Sequence, residues 1–111
     1  MKNINSLKDV SQFKKVYNGG KSLANKYLVL YVLPEQGDFR LGISVSKKVG
    51  NSVVRHRLAR LIRESYMYYK KQIPDRYHIV VVARNAAKDK NFETIRESFG
   101  HLLKLHKIIG D

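Results

Sequence analysis

The sequence predicts an α+β fold, a sandwich of helices on one small sheet, and three observations carry that expectation. Two short apolar runs, residues 27–33 (YLVLYVL) and 77–84, have the length and β-branched character of strands. A third run, 39–46, alternates apolar and polar residues with a period of two. Three further segments place apolar residues at helical spacing, so the order reads α-β-β-(β)-α-β-α.

In chain order, the first dozen residues are polar. Within 8–17, Val10, Phe13 and Tyr17 recur at helical spacing with Val16 beside them, and Asn18-Gly19-Gly20 closes the segment. Phe13 and Tyr17 share a face one turn apart. Spacing leaves open whether both rings belong to the core or stand at the edge of a cleft where they can stack on bases. Residues 21–25 are read as a short edge strand.

The run 27–33 is apolar on both faces and ends at Pro34. Helices on both sides of a sheet would explain this, and so would a core face opposite an aromatic cleft. Glu35-Gln36-Gly37-Asp38 reads as a hairpin turn into 39–46. There Leu41, Ile43 and Val45 point inward, while Arg40, Gly42, Ser44 and Ser46 point outward. Small outward residues let a backbone or ligand approach closely.

Residues 47–63, KKVGNSVVRHRLARLIR, organise the chain: they carry Lys47, Lys48, Arg55, Arg57, Arg60 and Arg63, and no acid falls between Asp38 and Glu64. On a helix of about 100° per residue, Val54, Leu58, Leu61, Ile62, Ser65 and Tyr69 form one stripe. Arg57, Arg60 and Arg63 lie opposite, with His56 nearby and Arg55 on the flank. One face is expected to dock on the core and the other to present guanidinium groups. Asn51 or Ser52 is the expected N-cap, which with Lys47 and Lys48 upstream makes an N-terminus suited to phosphate. A merely solvated face normally interleaves Glu with Arg, and this one does not. Arginine rather than lysine within the helix favours bidentate phosphate contacts.

The helix is carried to about Lys70, and 72–75 is a turn. The strand 77–84 is continuous, β-branched and central, and 85–90 is loop. Phe92, Ile95, Phe99 and Leu102 or Leu103 mark a last helix reaching about Lys107, with Glu93 and Glu97 placed well for its dipole.

The whole chain of 111 residues suits one domain, 1–111. Its net charge of +13, from 22 Lys+Arg against 9 Asp+Glu, makes nucleic acid the leading partner and an anionic membrane the second. Membrane binding through the helix near Arg57 fits poorly, because the core needs its apolar face. Hydrophobic content of 43% is enough for unaided folding. With no cysteine, there is neither a disulfide framework nor a thiolate zinc site. No apolar run reaches the length of a membrane span and no leader peptide is evident, so the expected location is cytoplasmic.

A self-sufficient nuclease needs convergent carboxylates for Mg²⁺ or histidines to move protons. The nine acids scatter over turns and exposed helix faces. His101 and His106 are five apart, off the spacing of a helical metal pair, and His78 lies in a strand. No phosphate-binding loop or nucleophile motif occurs. The expectation is a chain that is no catalyst alone, with a basic strip from 47–63 and aromatic platforms at Phe13, Tyr17 and Tyr31.

Those residues carry a resemblance. SVSKKVGNSVVRHRLARLIRE resembles the signature block of the protein subunit of bacterial ribonuclease P, S-V-S-K-K-x-G-x-A-V-x-R-N-R-x-K-R-x-x-R-E. An F-x-x-V-[FY] helix is matched by Phe13 to Tyr17, S-x-A-N by Ser22 to Asn25, V-L-Y by Val29 to Tyr31, and V-x-A-R by Val81 to Arg84. Two departures stand in the central block: R-N-R reads Arg55-His56-Arg57, and the next basic position is Ala59. An imidazole at His56 can still hydrogen-bond or stack, whereas Ala59 subtracts a cation.

The resemblance implies a two-layer α-β sandwich on a four-stranded mixed sheet, with the basic helix in a left-handed βαβ crossover, against the usual right-handed rule. It implies a non-catalytic subunit of a ribonucleoprotein endoribonuclease that removes the 5′ leader of precursor tRNA. The chemistry is then the RNA's, and so is most of the Mg²⁺, with none held tightly by the protein. Phe13, Tyr17 and Tyr31 would line the leader cleft. Lys47, Lys48, Asn51, Arg55, His56, Arg57, Arg60 and Arg63 would meet phosphates of the catalytic RNA and the leader. The partners would be those two RNAs, with no membrane and no obligatory protein. The competing reading is a small ribosomal or general RNA-binding protein without a processing role.

Overall fold

A computed structural model describes residues 10–34 and 40–110. Helix α1 (Val10–Gly19) precedes strands β1 (Lys21–Ala24), β2 (Leu28–Pro34) and β3 (Arg40–Ser44). Helix α2 (Ser52–Tyr69), strand β4 (Tyr77–Ala83) and helix α3 (Phe92–Leu105) follow. Short 3-10 turns flank β4: Lys70–Gln72 joins the expected helix end near Lys70 to the expected turn at 72–75, and Asn85–Ala87 lies inside the expected loop 85–90.

The sheet order is β1-β2-β4-β3, with β1, β2 and β4 antiparallel in succession and β3 parallel to β4. β3, α2 and β4 therefore form a βαβ unit. The expected hairpin between the strands at 27–33 and 39–46 is not what forms: β4 lies between them. The turn residues themselves, 35–38, are outside the described residues. The physical reason is the apolar run of β4, which needs a neighbour on each side for its backbone and a cover on each face. With one strand interposed, β2 and β3 lie about 10 Å apart, a gap that five connecting residues can span.

Alternation along the strands sorts the sheet into two faces. Leu28, Leu30 and Val32 of β2, Leu41 of β3, and Ile79, Val81 and Ala83 of β4 pack beneath α2 and α3, against Leu58, Leu61, Ile62, Tyr66, Ile95, Phe99, Leu102 and Leu103. On the other face, Val16 of α1 seats on Val80, both fully buried, with Phe13, Tyr17, Tyr31, Leu33 and Val82 around them. Both explanations for the two-sided apolarity of 27–33 thus apply: α2 and α3 cover one face, and α1 with its aromatic rings covers part of the other.

Two glycines are set by close approach. A Cβ at Gly20 would fall on the carbonyl oxygens of Val16 and Val32, where the chain leaves α1 for the sheet. A Cβ at Gly50 would meet the side chain of Val54, in the first turn of α2. Beyond α3, Lys107 takes a left-handed φ of 60°, and the Ile108 N–H donates to the Leu103 carbonyl at 3.0 Å. That reversal buries Ile108 and Ile109 in the main core.

Candidate nucleic-acid interface

The aromatic part is built on α1 and β2. Because Val16 occupies the inward position of α1, Phe13 and Tyr17 fall to its flanks, half-buried. Their ring centroids are 6.2 Å apart, and Tyr17 meets Tyr31 edge-on at 4.8 Å. The three rings predicted from sequence therefore adjoin. Register puts Tyr31 beside Val80 and Val80 beside Gly42, and places Val29, Val82 and Ser44 in the next row. Val29, Val82 and Ser44 are only half-buried, so that row forms a partly open floor next to the rings. His78 lies farther along the same face between Leu33 and Arg40, buried, and among the described residues its Nδ1 has no hydrogen-bond partner.

Chain direction joins this floor to the basic stretch. Ser44 ends β3, and Lys47 and Lys48 follow in an exposed turn closed by a bond from the Val49 N–H to the Ser46 carbonyl at 3.1 Å. Val49 is buried and anchors that turn. Asn51 is the N-cap of α2, its side chain accepting from the Val54 N–H at 3.0 Å. Its amide oxygen is therefore engaged within the fold, while the N–H groups of Ser52 and Val53 stand at an exposed helix start.

The expected arginine face of α2 forms, with differences in detail. His56 and Arg60 are exposed, and Arg55, Arg57 and Arg63 are half-buried. The Nε of Arg55 is buried without a partner among the described residues. Arg57 is tied down, its Nη2 donating to the Lys90 carbonyl at 2.7 Å. The buried stripe of α2 runs through Leu58, Leu61, Ile62, Ser65 and Tyr66, whereas Val54 and Tyr69 are only partly covered. Val53, at the first turn, is an apolar side chain left 74% exposed.

Two matched motif positions turn out to hold the fold. Asn25 Oδ1 accepts from the N–H groups of Tyr27 and Leu28 and from the Ser98 hydroxyl at 3.1, 3.0 and 2.8 Å. Its Nδ2 donates to the Ser98 carbonyl at 3.0 Å, so Asn25 pins the β1–β2 turn to α3. Arg84 Nη1 donates to the Asn25 carbonyl at 2.7 Å. Sequence reasoning did not single out Lys26 and Lys90, which stand over the Tyr27 ring at 5.6 and 5.9 Å.

Among the described residues, no three His, Asp or Glu side chains come together as metal ligands, and no helix is long and apolar enough to cross a membrane. The surface offers stacking platforms and cations, the chemistry of a single-stranded polyanion.

Comparison with known proteins shows the family. The profile of the Ribonuclease P family matches residues 1–107. The ribonuclease P protein component of Lachnoclostridium phytofermentans is 57% identical over 106 residues, covering 95% of this chain and 91% of the relative. The solved ribonuclease P protein of Staphylococcus aureus superposes with a TM-score of 0.87 at 38% identity, over 97% of this chain and all of that one. That of Thermotoga maritima superposes at 0.83 with 34% identity, over 96% of this chain and 99% of the other. The chain belongs to the ribonuclease P protein family.

Proposed function

We propose that this chain serves ribonuclease P by holding two RNAs at once: the 5′ leader of precursor tRNA in the cleft between α1 and the sheet, and the catalytic RNA along residues 47–63. The observation that carries this reading is the cluster of Phe13, Tyr17 and Tyr31 beside a half-open floor that ends at Ser44, three residues before Lys47.

Half-buried rings accept bases without reading their identity, at about 1–3 kcal/mol per stacked base. Precursor tRNA has a leader to stack and mature tRNA does not, so the cleft favours substrate over product. Lys47, Lys48, Arg55, Arg57, Arg60 and Arg63 supply the second grip. Two large RNAs repel each other, and cations placed between them lower that repulsion and the Mg²⁺ needed for assembly. Hydrolysis is the work of the RNA, which chiefly holds the Mg²⁺; the protein positions substrate. Assembly takes place in the cytoplasm and involves no obligatory protein partner.

The test is cleavage of a precursor tRNA at low Mg²⁺ by this protein, by a bacterial ribonuclease P RNA, and by the two combined. Cleavage at the mature 5′ end in the mixture alone supports the reading. Tight RNA binding without enhancement over the RNA alone would leave a general RNA-binding protein.

A further inference from the structure

On α2, Arg57, Arg60, Glu64 and Tyr68 stand at i, i+3, i+7 and i+11, a spacing that aligns them along one side of a helix. The start of α3 runs beside that side, since Arg57 bonds the Lys90 carbonyl just before α3 and Arg96 of α3 lies over the Tyr68 ring at 4.9 Å. Arg96 also stands 5.7 Å from the Phe92 ring, so two aromatic side chains hold one guanidinium. Aromatic faces engage its charge and leave its N–H donors without an acceptor among the described residues. Tyr68 is 58% exposed, an unusual position for a large ring that the α2–α3 core does not need.

We propose that this α2–α3 surface is a further RNA contact, in which Arg96 takes a backbone phosphate and Tyr68 an adjacent unpaired base of the catalytic RNA. The inference rests on the reading above. This surface continues the side of α2 that carries Arg57 and Arg60, and it lies across the sheet from the cleft assigned to the leader, so the catalytic RNA is the polyanion placed to reach it. A guanidinium already fixed by two rings loses little freedom on binding a phosphate in a bidentate manner. Glu64 sits on the same stripe and lowers the local field, so recognition here depends on the geometry of Arg96 and Tyr68 more than on bulk charge.

The experiment is equilibrium binding of the catalytic ribonuclease P RNA, without substrate, across a salt series for the wild-type chain, R96A, R96K and Y68A, with circular dichroism to establish folding. R96A is expected to weaken binding about tenfold and to reduce the slope of log K against log salt by about one. R96K should keep the slope and recover only part of the affinity, and Y68A should lose affinity with the slope unchanged. Preference for precursor over mature tRNA should stay as in wild type for all three. Affinity within about twofold of wild type and an unchanged slope in both R96A and Y68A would overturn the contact. So would a changed precursor preference in R96A, which would move the site to the substrate. A wild-type chain that does not bind the catalytic RNA removes the functional reading itself, and this contact with it.

Discussion

Arg57 Nη2 donates to the backbone carbonyl of Lys90 at 2.7 Å. An arginine of the basic signature is thereby a clamp between α2 and the segment that opens α3. The clamp and the proposed RNA contact give two losses that can be measured separately.

Arg57→Ala should therefore raise the Mg²⁺ requirement of the reconstituted enzyme and also lower the stability of the free protein by about 1–2 kcal/mol, since a part-buried, charge-assisted bond is lost. Arg57→Lys keeps the charge but cannot reproduce the planar fork, so it should restore most of the Mg²⁺ behaviour and little of the stability. Urea denaturation reads one effect and cleavage against Mg²⁺ the other. Unchanged stability in Arg57→Ala would show the bond to Lys90 to be energetically idle.

In the cleft, Tyr17→Ala should weaken precursor tRNA binding by roughly 5- to 150-fold, the equivalent of about 1–3 kcal/mol of stacking, and leave mature tRNA nearly untouched. Val16→Ala, one position away, removes a fully buried contact with Val80 and should act on stability first. Equal losses for the two RNAs in Tyr17→Ala would sink the leader-cleft assignment.

What could be read in the sequence, and what could not, follows from the range of the forces involved. Helical spacing placed Phe13 and Tyr17 together and Leu58, Leu61 and Ile62 inward, because period and burial are local properties. The N-cap was narrowed to Asn51 or Ser52 for the same reason, and Asn51 takes it. Tyr66 was not, since the stripe drawn through Ser65 and Tyr69 gave no reason to turn that ring inward, yet it packs edge-on against Phe99 at 6.5 Å. The pairing of β3 with β4 was also out of reach. A short connection favours a hairpin locally, and only the demand of β4 for two neighbours displaces it. The clamp from Arg57 to Lys90 and the Asn25 joint to Ser98 link residues 33 and 73 positions apart, beyond any periodicity. Charge alone marked Arg57 for RNA and was silent on its bond within the fold.

Gly100 shows how tightly α2 and α3 meet. A Cβ there would fall on the Tyr69 hydroxyl, and the Tyr69 ring cannot easily move away because it stacks on Phe99 at 6.2 Å with 9° between planes and meets Tyr68 edge-on at 4.9 Å. Gly100→Ala should therefore cost about 1–3 kcal/mol of stability, despite the higher helix propensity of alanine. Adding Tyr69→Phe removes the obstructing oxygen and should recover part of the loss. A double-mutant cycle by chemical denaturation measures that coupling; additive effects would mean that the ring yields without strain.

His106 supplies a pH dependence. Its Nε2 lies 2.9 Å from the Leu30 carbonyl, beneath the end of α3. Burial pushes its pKa below the ordinary histidine value, the bond to Leu30 opposes that shift, and the charge of Lys21 adds to it. With the folded value lowered, the unfolded chain binds more protons over the interval between the two values, so stability rises with pH there. The contribution is intact above the unfolded value of about 6.5 and is lost as acidity increases from that point toward the folded value, below which it changes no further. His106→Gln keeps a nitrogen able to donate to Leu30 and removes the titration. Urea denaturation at several pH values between neutral and mildly acidic should show wild type losing more stability on acidification than His106→Gln. Parallel profiles for the two proteins would mean that protonation of His106 carries no cost in the fold.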